Sequence, residues 1–447
     1  MKNIFPLLVL FFLSTSCKKE ITSTGTDHCS LSEEGQLVLA ELNATYAHPF
    51  EGADYDLEDP QLDNLLNYLA TANFVGLGEA THGTADFYEM KHQLFKRLVE
   101  EHDFKAIIFE IPWGNCLKVN DFVVHGKGTA DEAIDQTYYW TYDTKEVRTL
   151  AQWVHDYNLT QSEEEKVFFV GCDPQGGDFD IERELVADYL SKVQPDSAIS
   201  LIENYNHLPQ DNLSDYSNTS QEIKDRNIEG TRVVYEYLAA NKEAFVAASS
   251  VLEYEIALMA SHLIQHRELV YRTRDFGNLR DSLMAVYTEW WQRILGDHSK
   301  VAIWAHNFHV MDGSAINANY WMGTYLRSSQ QDNYKNVAFS FSSGSFNAFL
   351  ADAFGNFASP VQQQELTLET CGNVNYLLQQ VHGDRHYLIF EELDGASKIY
   401  FQSKQAFLQL GAGFNENHLG NYTQQLPLAR LFDVLIHFDH TTASILQ

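Results

Sequence analysis

An α/β fold, with a mostly parallel β-sheet core flanked by helices, is predicted on three observations. Short apolar runs, Phe74–Leu77, Ala106–Phe109, Val167–Val170 and Val301–Trp304, are separated by helical patterns, the alternation expected of parallel strands joined by crossover helices. Each run gives way within a few positions to polar, mostly titratable residues: Glu79 and His82, Glu110, Asp173, and His306 and His309. From about residue 181 to 296 the short runs disappear and long helical patterns take over, which predicts a helical insertion lying over the sheet edge where those strands end.

The stretch Phe74–Cys116 organises the rest. Phe74–Leu77 reads as a strand and Glu79–Thr84 as a polar turn. Thr84 is the expected N-cap of the helix that follows, with Asp86 in its first turn, where the helix dipole favours an anion. Phe87, Met90, Leu94 and Leu98 mark one buried helical face. Ala106–Phe109 is a second strand, ending in Glu110. Parallel strands of this kind bind ligands outside their carboxyl ends, which puts Glu79, His82 and Glu110 on one edge. At about 100° per residue, Lys91 falls inside the apolar stripe. Two readings stand for it: a stem covering apolar surface, or a cation aimed at the acids.

Upstream, Glu33–Thr45 and Pro60–Ala70 read as helices. Downstream, Asn115–His125, Thr129–Thr137 and Val147–Asn158 are expected to be helical, with Val167–Val170 a buried strand running into Asp173. Ile181–Val193, Glu222–Ala240 and Lys242–Tyr271 form the helical insertion, with Pro209–Ser220 a loop inside it. Leu279–Leu295 returns to the core, and Arg280 and Asp281 at its start are expected to pair with each other or with solvent. Val337–Phe341, Tyr387–Phe390 and Val434–Ile436 read as later strands, with Ser342–Ser345 a polar turn. The core is thus expected over 35–180 and 297–447, with the insertion at 181–296.

Composition narrows the function. The 447 residues carry 62 Asp+Glu against 30 Lys+Arg, a net charge of -32, so the chain as a whole repels nucleic acid and anionic membranes. Residues 1–17 resemble a lipoprotein signal: Lys2, the apolar Ile4–Leu13, then Ser14-Thr15-Ser16 before Cys17, the expected lipidation site. Residues 18–34 then form a tether, and the expected location is the cell envelope, with membrane contact only through the lipid. Cys29, Cys116, Cys172 and Cys371 show no C-x-x-C or zinc spacing.

Four strand termini converging on one edge point to a site. There is no G-x-S-x-G elbow, no H-E-x-x-H and no G-x-G-x-x-G after the first strand, and Gly78–Thr84 has P-loop spacing with threonine where lysine is required. That leaves activated water. A histidine deprotonates water near neutral pH, Glu79 or Glu110 holds its ring, and Lys91 with His306 or His309 stabilises an oxyanion. The same histidines and carboxylates also suit a hydrolase holding Zn, Mn or Fe, although Lys91 repels a cation. A surface binding protein without turnover is the third possibility.

GEATHGTADFYEMKHQLFKRL (Gly78–Leu98) with AIIFE, and WAHNFHV (Trp304–Val310), resemble the two signature motifs of the erythromycin esterase family. GCDPQ (Gly171–Gln175), RDSLMA (Arg280–Ala285) and the closing FDVLIHFDHTT extend the resemblance over most of the chain. The resemblance implies a hydrolase that needs no metal or other cofactor and opens a small-molecule lactone or ester. It implies His82 as general base, with Glu79, Glu110, His306 and His309 as further site positions. Asp173, Asn307 and Arg280 are expected to line the substrate. The family commonly has arginine where this chain has Lys91, and asparagine near Tyr287.

Overall fold

The computed structural model describes residues 30–447 apart from 178, 210–212, 319, 354, 358–359 and 369–371. Cys17 with the signal segment, Cys29 and Cys371 lie outside the described residues.

The strands in chain order are β1 (His48–Pro49), β2 (Phe74–Leu77), β3 (Phe104–Pro112), β4 (Phe168–Asp173), β5 (Lys300–Trp304), β6 (Tyr334–Leu350), β7 (Gln362–Thr367), β8 (Arg385–Ile389), β9 (Gln405–Leu408), β10 (Gly413–Phe414), β11 (Thr423–Leu426) and β12 (Val434–Thr441). Among the described residues the main sheet has the order β1-β8-β12-β6-β2-β5-β3-β4, with β7 and β10 beside the long β6; β9 and β11 form a separate pair. From β12 to β4 every neighbour is parallel, and only β8, β1 and β7 run against their partners. The sheet is mostly parallel, as the alternation predicts.

The strand from the far side of the helical stretch enters the middle of the first βαβ unit. β5 lies between β2 and β3, aligning Trp304 with Leu77 on one side and with Phe109 on the other. The strands ending near Glu79, Trp304 and Glu110 are therefore neighbours.

Side chains alternate across this sheet, as a strand buried on both faces requires. Val75, Ile107, Phe109, Phe169, Ala302 and Trp304 pack on one face with Phe87, Met90 and Leu94 of the helix Ala85–His102. Ala106, Ile108, Val170, Val301 and Ile303 pack on the other with Leu263, Met284 and Trp291. The helix Asn278–Leu295 lies against this face over β3, β4 and β5, with Asp180–Val193, Gln221–Ala240 and Val251–Thr273 packed into the same layer, and its start reaches the carboxyl edge. No helix among the described residues is long and apolar enough to cross a membrane.

Several local expectations are corrected. Thr84 holds the expected N-cap position with extended backbone, but its side chain makes no capping hydrogen bond and meets the Thr81 hydroxyl instead. Glu110 lies inside β3, which continues to Pro112. The long helix expected over Lys242–Tyr271 breaks into Lys242–Ala248 and Val251–Thr273, because the Ser250 hydroxyl accepts from Glu253 N and starts a new helix. Ser342–Ser345 is no turn but part of β6, with Ser342 Oγ beside the buried His437 ring.

Candidate active site

Two polar clusters meet at the carboxyl edge. The first is built on Glu79, just past β2. Its Oε1 lies 2.7 Å from His82 Nδ1, and its Oε2 accepts from Lys91 Nζ at 2.6 Å and from Trp304 Nε1 at 3.1 Å. Lys91 comes from the helix Ala85–His102 and is fully buried, its ammonium 4.4 Å from the centre of the Trp304 ring. Of the two readings of Lys91, the structure realises the ion pair. Burial pushes the Glu79 carboxyl up, but Lys91 and His82 outweigh it and hold the group below its ordinary value. Burial pulls Lys91 down to about 8, against the opposing pull of Glu79.

The second cluster joins sheet and helical layer. Arg280 donates through Nε and Nη2 to the two oxygens of Asp173, at 2.9 and 2.6 Å, and through Nη2 to Glu110 Oε1 at 2.8 Å. His309 Nδ1 lies 2.7 Å from Asp281 Oδ1, and its Nε2 lies 3.1 Å from Glu110 Oε1. Burial opposes a charge on this ring, yet Asp281 and Glu110 raise it to about 10, so it is an imidazolium with both N–H groups donating. Arg280 Nη1, 3.3 Å from His309 Nε2, is then a neighbour and not a hydrogen-bond partner, since both atoms carry protons. Burial raises the Glu110 carboxyl, but His309 and Arg280 hold it well below the usual range. Arg280 and Asp281 therefore pair neither with each other nor with solvent. Asp281 also accepts from Met322 N at 2.9 Å.

His306 stands between the clusters. Its backbone N–H donates to Glu110 Oε2 at 3.1 Å, and its ring is 5.0 Å from that of His82. Its Nδ1 accepts from Phe308 N, which assigns the proton to Nε2, a buried atom with no hydrogen-bond partner among the described residues. Burial and His82 push this ring down to about 3, so it stays neutral. The His82 ring is 13% exposed, and its Nε2 has no hydrogen-bond partner among the described residues.

Of the expected substrate-lining residues, Asp173 is fully buried, accepting from Arg280 and from Gln175 N. Asn307 is a structural clamp: it donates to Phe339 O and Gln409 Oε1 and accepts from Phe339 N, and a side chain at Gly78 would come within 2.1 Å of its Oδ1. Tyr287, on the same helix as Arg280, has a buried hydroxyl without a hydrogen-bond partner among the described residues. Two site contacts go beyond the sequence-based expectations: Trp304 donates to Glu79, and Asp281 is the partner of His309. The position of Asp281 directly after Arg280 is the only signal of it. Among the described residues, no three His, Cys, Asp or Glu side chains are arranged to hold a metal ion.

The fold and the site together define an α/β protein with an acid–histidine centre at the carboxyl edge of a parallel sheet. The chain belongs to the erythromycin esterase family, whose sequence profile matches residues 99–441. The match takes in Glu110, Asp173, Arg280, His306 and His309, while Glu79, His82 and Lys91 precede it. The chain is 28% identical over 159 residues to erythromycin esterase type II of Escherichia coli, covering 35% of this chain and 36% of that protein. A solved structure titled as a succinoglycan biosynthesis protein superposes with a TM-score of 0.81 at 24% identity, covering 94% of this chain and 100% of its own. A histidine-to-asparagine mutant of the erythromycin esterase EreC, in its open conformation, gives 0.66 at 17% identity, covering 89% and 98%. The two structures establish likeness of fold.

Proposed function

We propose that this protein hydrolyses an ester or lactone by direct attack of water, with His82 as general base and no metal in the reaction. The observation that carries this reading is the pairing of two rings with opposite free ends. His82 Nδ1 is fixed on Glu79, leaving a lone pair on Nε2, while 5.0 Å away ring to ring His306 holds an unpartnered Nε2–H. One ring accepts a proton and the other donates a hydrogen bond.

In this mechanism His82 Nε2 takes a proton from water as the oxygen bonds to the carbonyl carbon. The carbonyl π electrons move to its oxygen, which His306 Nε2–H holds. A neutral imidazole kept neutral by burial suits that donation. On collapse the C–O bond to the alcohol breaks, and the proton on His82 passes to the leaving oxygen. Glu79 orients His82 and balances the imidazolium, as the acid of a catalytic triad does. Lys91 acts through Glu79, because its ammonium is enclosed by that carboxylate and aromatic rings. His309 Nε2 is engaged by Glu110, so His306 is the ring left to meet the oxyanion.

The donor set supports water activation by a base over activation by a metal. Glu79 is bonded to an ammonium, Glu110 and Asp173 share a guanidinium, and both nitrogens of His309 are protonated. A cation entering here would displace cations already in place. The test is a hydrolysis screen over 4-nitrophenyl esters, small lactones and erythromycin, with and without a chelator. Hydrolysis indifferent to chelation is expected; loss on chelation with recovery on added zinc or manganese would place a metal in the reaction.

A further inference from the structure

His82 sits on a short turn held partly by its own Thr81–Thr84 hydroxyl contact and partly by distant segments. The Gly83 carbonyl accepts two backbone donors from distant parts of the chain, Asn347 N at 2.9 Å and Ser444 N at 3.0 Å. These two residues are tied together: Asn347 Nδ2 donates to Ser444 O at 2.6 Å and lies 3.1 Å from Ser444 Oγ. Both are buried. The approach leaves no room for a side chain, since a Cβ on Gly83 would stand 2.3 Å from Asn347 O.

The segment carrying Ser444 is itself fastened on both sides. Thr442 N and Oγ1 donate to Asp86 Oδ2 at 2.6 and 2.9 Å, and Thr442 O accepts from Ala85 N. Ala443 N donates to Ser345 Oγ at 3.0 Å. Ile445 N donates to the Glu146 carboxylate at 3.2 Å, and its carbonyl accepts from Lys145 N. Residues 442–447 thus run as a strap over the starts of the helices Ala85–His102 and Lys145–Asn158, crossing the His82 turn between them. By comparison, the direct holds on the His82 backbone are few: its N–H reaches Gly411 O at 3.4 Å, and its carbonyl accepts from the Tyr88 hydroxyl.

We infer that Asn347 and Ser444 are positioning residues for His82, clamping the turn through the Gly83 carbonyl so that the ring is presented at one angle. This rests on the reading of His82 as general base. A catalytic group needs placement within a fraction of an ångström, and an error of about 1 Å costs on the order of 10²-fold in rate. The Glu79 bond fixes one end of the ring; the strap fixes the backbone from which the ring hangs.

Two variants test the role: Asn347→Leu, close in volume but without donors, and a chain ended after Thr442, which removes the Ser444 donor. Each is assayed for kcat and KM on a 4-nitrophenyl ester the wild type hydrolyses, for Tm, and by nitrogen NMR of labelled histidines. Expected is a fall in kcat of about 10–100-fold with KM changed by less than about 3-fold, an altered His82 resonance, and a retained melting transition. Folded variants with wild-type kcat would overturn the role. Loss of the melting transition in both would overturn it too, assigning the strap to stability. His82→Asn in the same assay separates the two readings: if it stays active, the base assignment fails, while the His82 resonance in the strap variants still reports positioning.

Discussion

Lys91 Nζ and Glu79 Oε2 are 2.6 Å apart with both side chains wholly shut from solvent. The other oxygen of the same carboxylate holds His82, so one buried cation stands behind the carboxylate that fixes the His82 ring. Removing one partner of a buried pair strands the other charge, at a cost of about 3–5 kcal/mol. Lys91→Met should lose stability on that scale in denaturant titration, and lose activity with it.

The same pair predicts an alkaline limb. Burial draws Lys91 down to about 8, so it is a cation at pH 7 and loses its charge as pH climbs through that value. Glu79 Oε2 then loses its charged partner, and the orientation of His82 loosens. The rate should fall with a midpoint near pH 8. Lys91→Arg, which cannot deprotonate in this range, should remove that limb.

His309 and His306 should be silent between pH 5 and 8 for opposite reasons. Asp281 and Glu110, outweighing burial, raise His309 to about 10, while burial lowers His306 to about 3. Nitrogen NMR should show one ring fixed as imidazolium and the other fixed neutral. Stability follows by linkage. A histidine raised above its unfolded value of about 6.5 stabilises fully below that pH and loses the contribution as pH rises toward 10. The deficit of His309→Gln against wild type should therefore be largest below pH 6.5 and close as pH nears 10.

Arg280 bridges Asp173 of β4 and Glu110 of β3 from the first turn of the helix Asn278–Leu295. Arg280→Met leaves the buried Asp173 carboxylate without its cation and Glu110 with His309 as its remaining cation, and should cost about 3–5 kcal/mol, by the same reasoning as for Lys91. The shift is read in the denaturation midpoint.

Much of this was legible in the sequence because it follows from period and punctuation. Four apolar runs with polar ends located the carboxyl edge, and the helical period alone put Lys91 inside the molecule. Pairings between distant residues were not legible. Nothing in the spacing says that β5 enters between β2 and β3, yet that insertion brings Trp304 to Glu79. Asn307, expected to line the substrate, has its amide bonded to the backbone of β6 at Phe339, a pairing with a distant residue. Ser342–Ser345 looked like a turn because serine and glycine mark turns in isolation; in the sheet Ser342 serves a buried histidine. The strap meets the His82 turn through backbone donors to the Gly83 carbonyl, which carry no residue signature.

The proposed role of His82 as base is tested most directly by the turnover of His82→Asn beside wild type on one hydrolysed ester, with chelator present throughout. Asparagine keeps a donor toward Glu79 but has no proton-accepting nitrogen. The account predicts a kcat lower by about 10²–10⁴, an unchanged melting transition and retained substrate binding. A His82→Asn protein that turns over at the wild-type rate would contradict it.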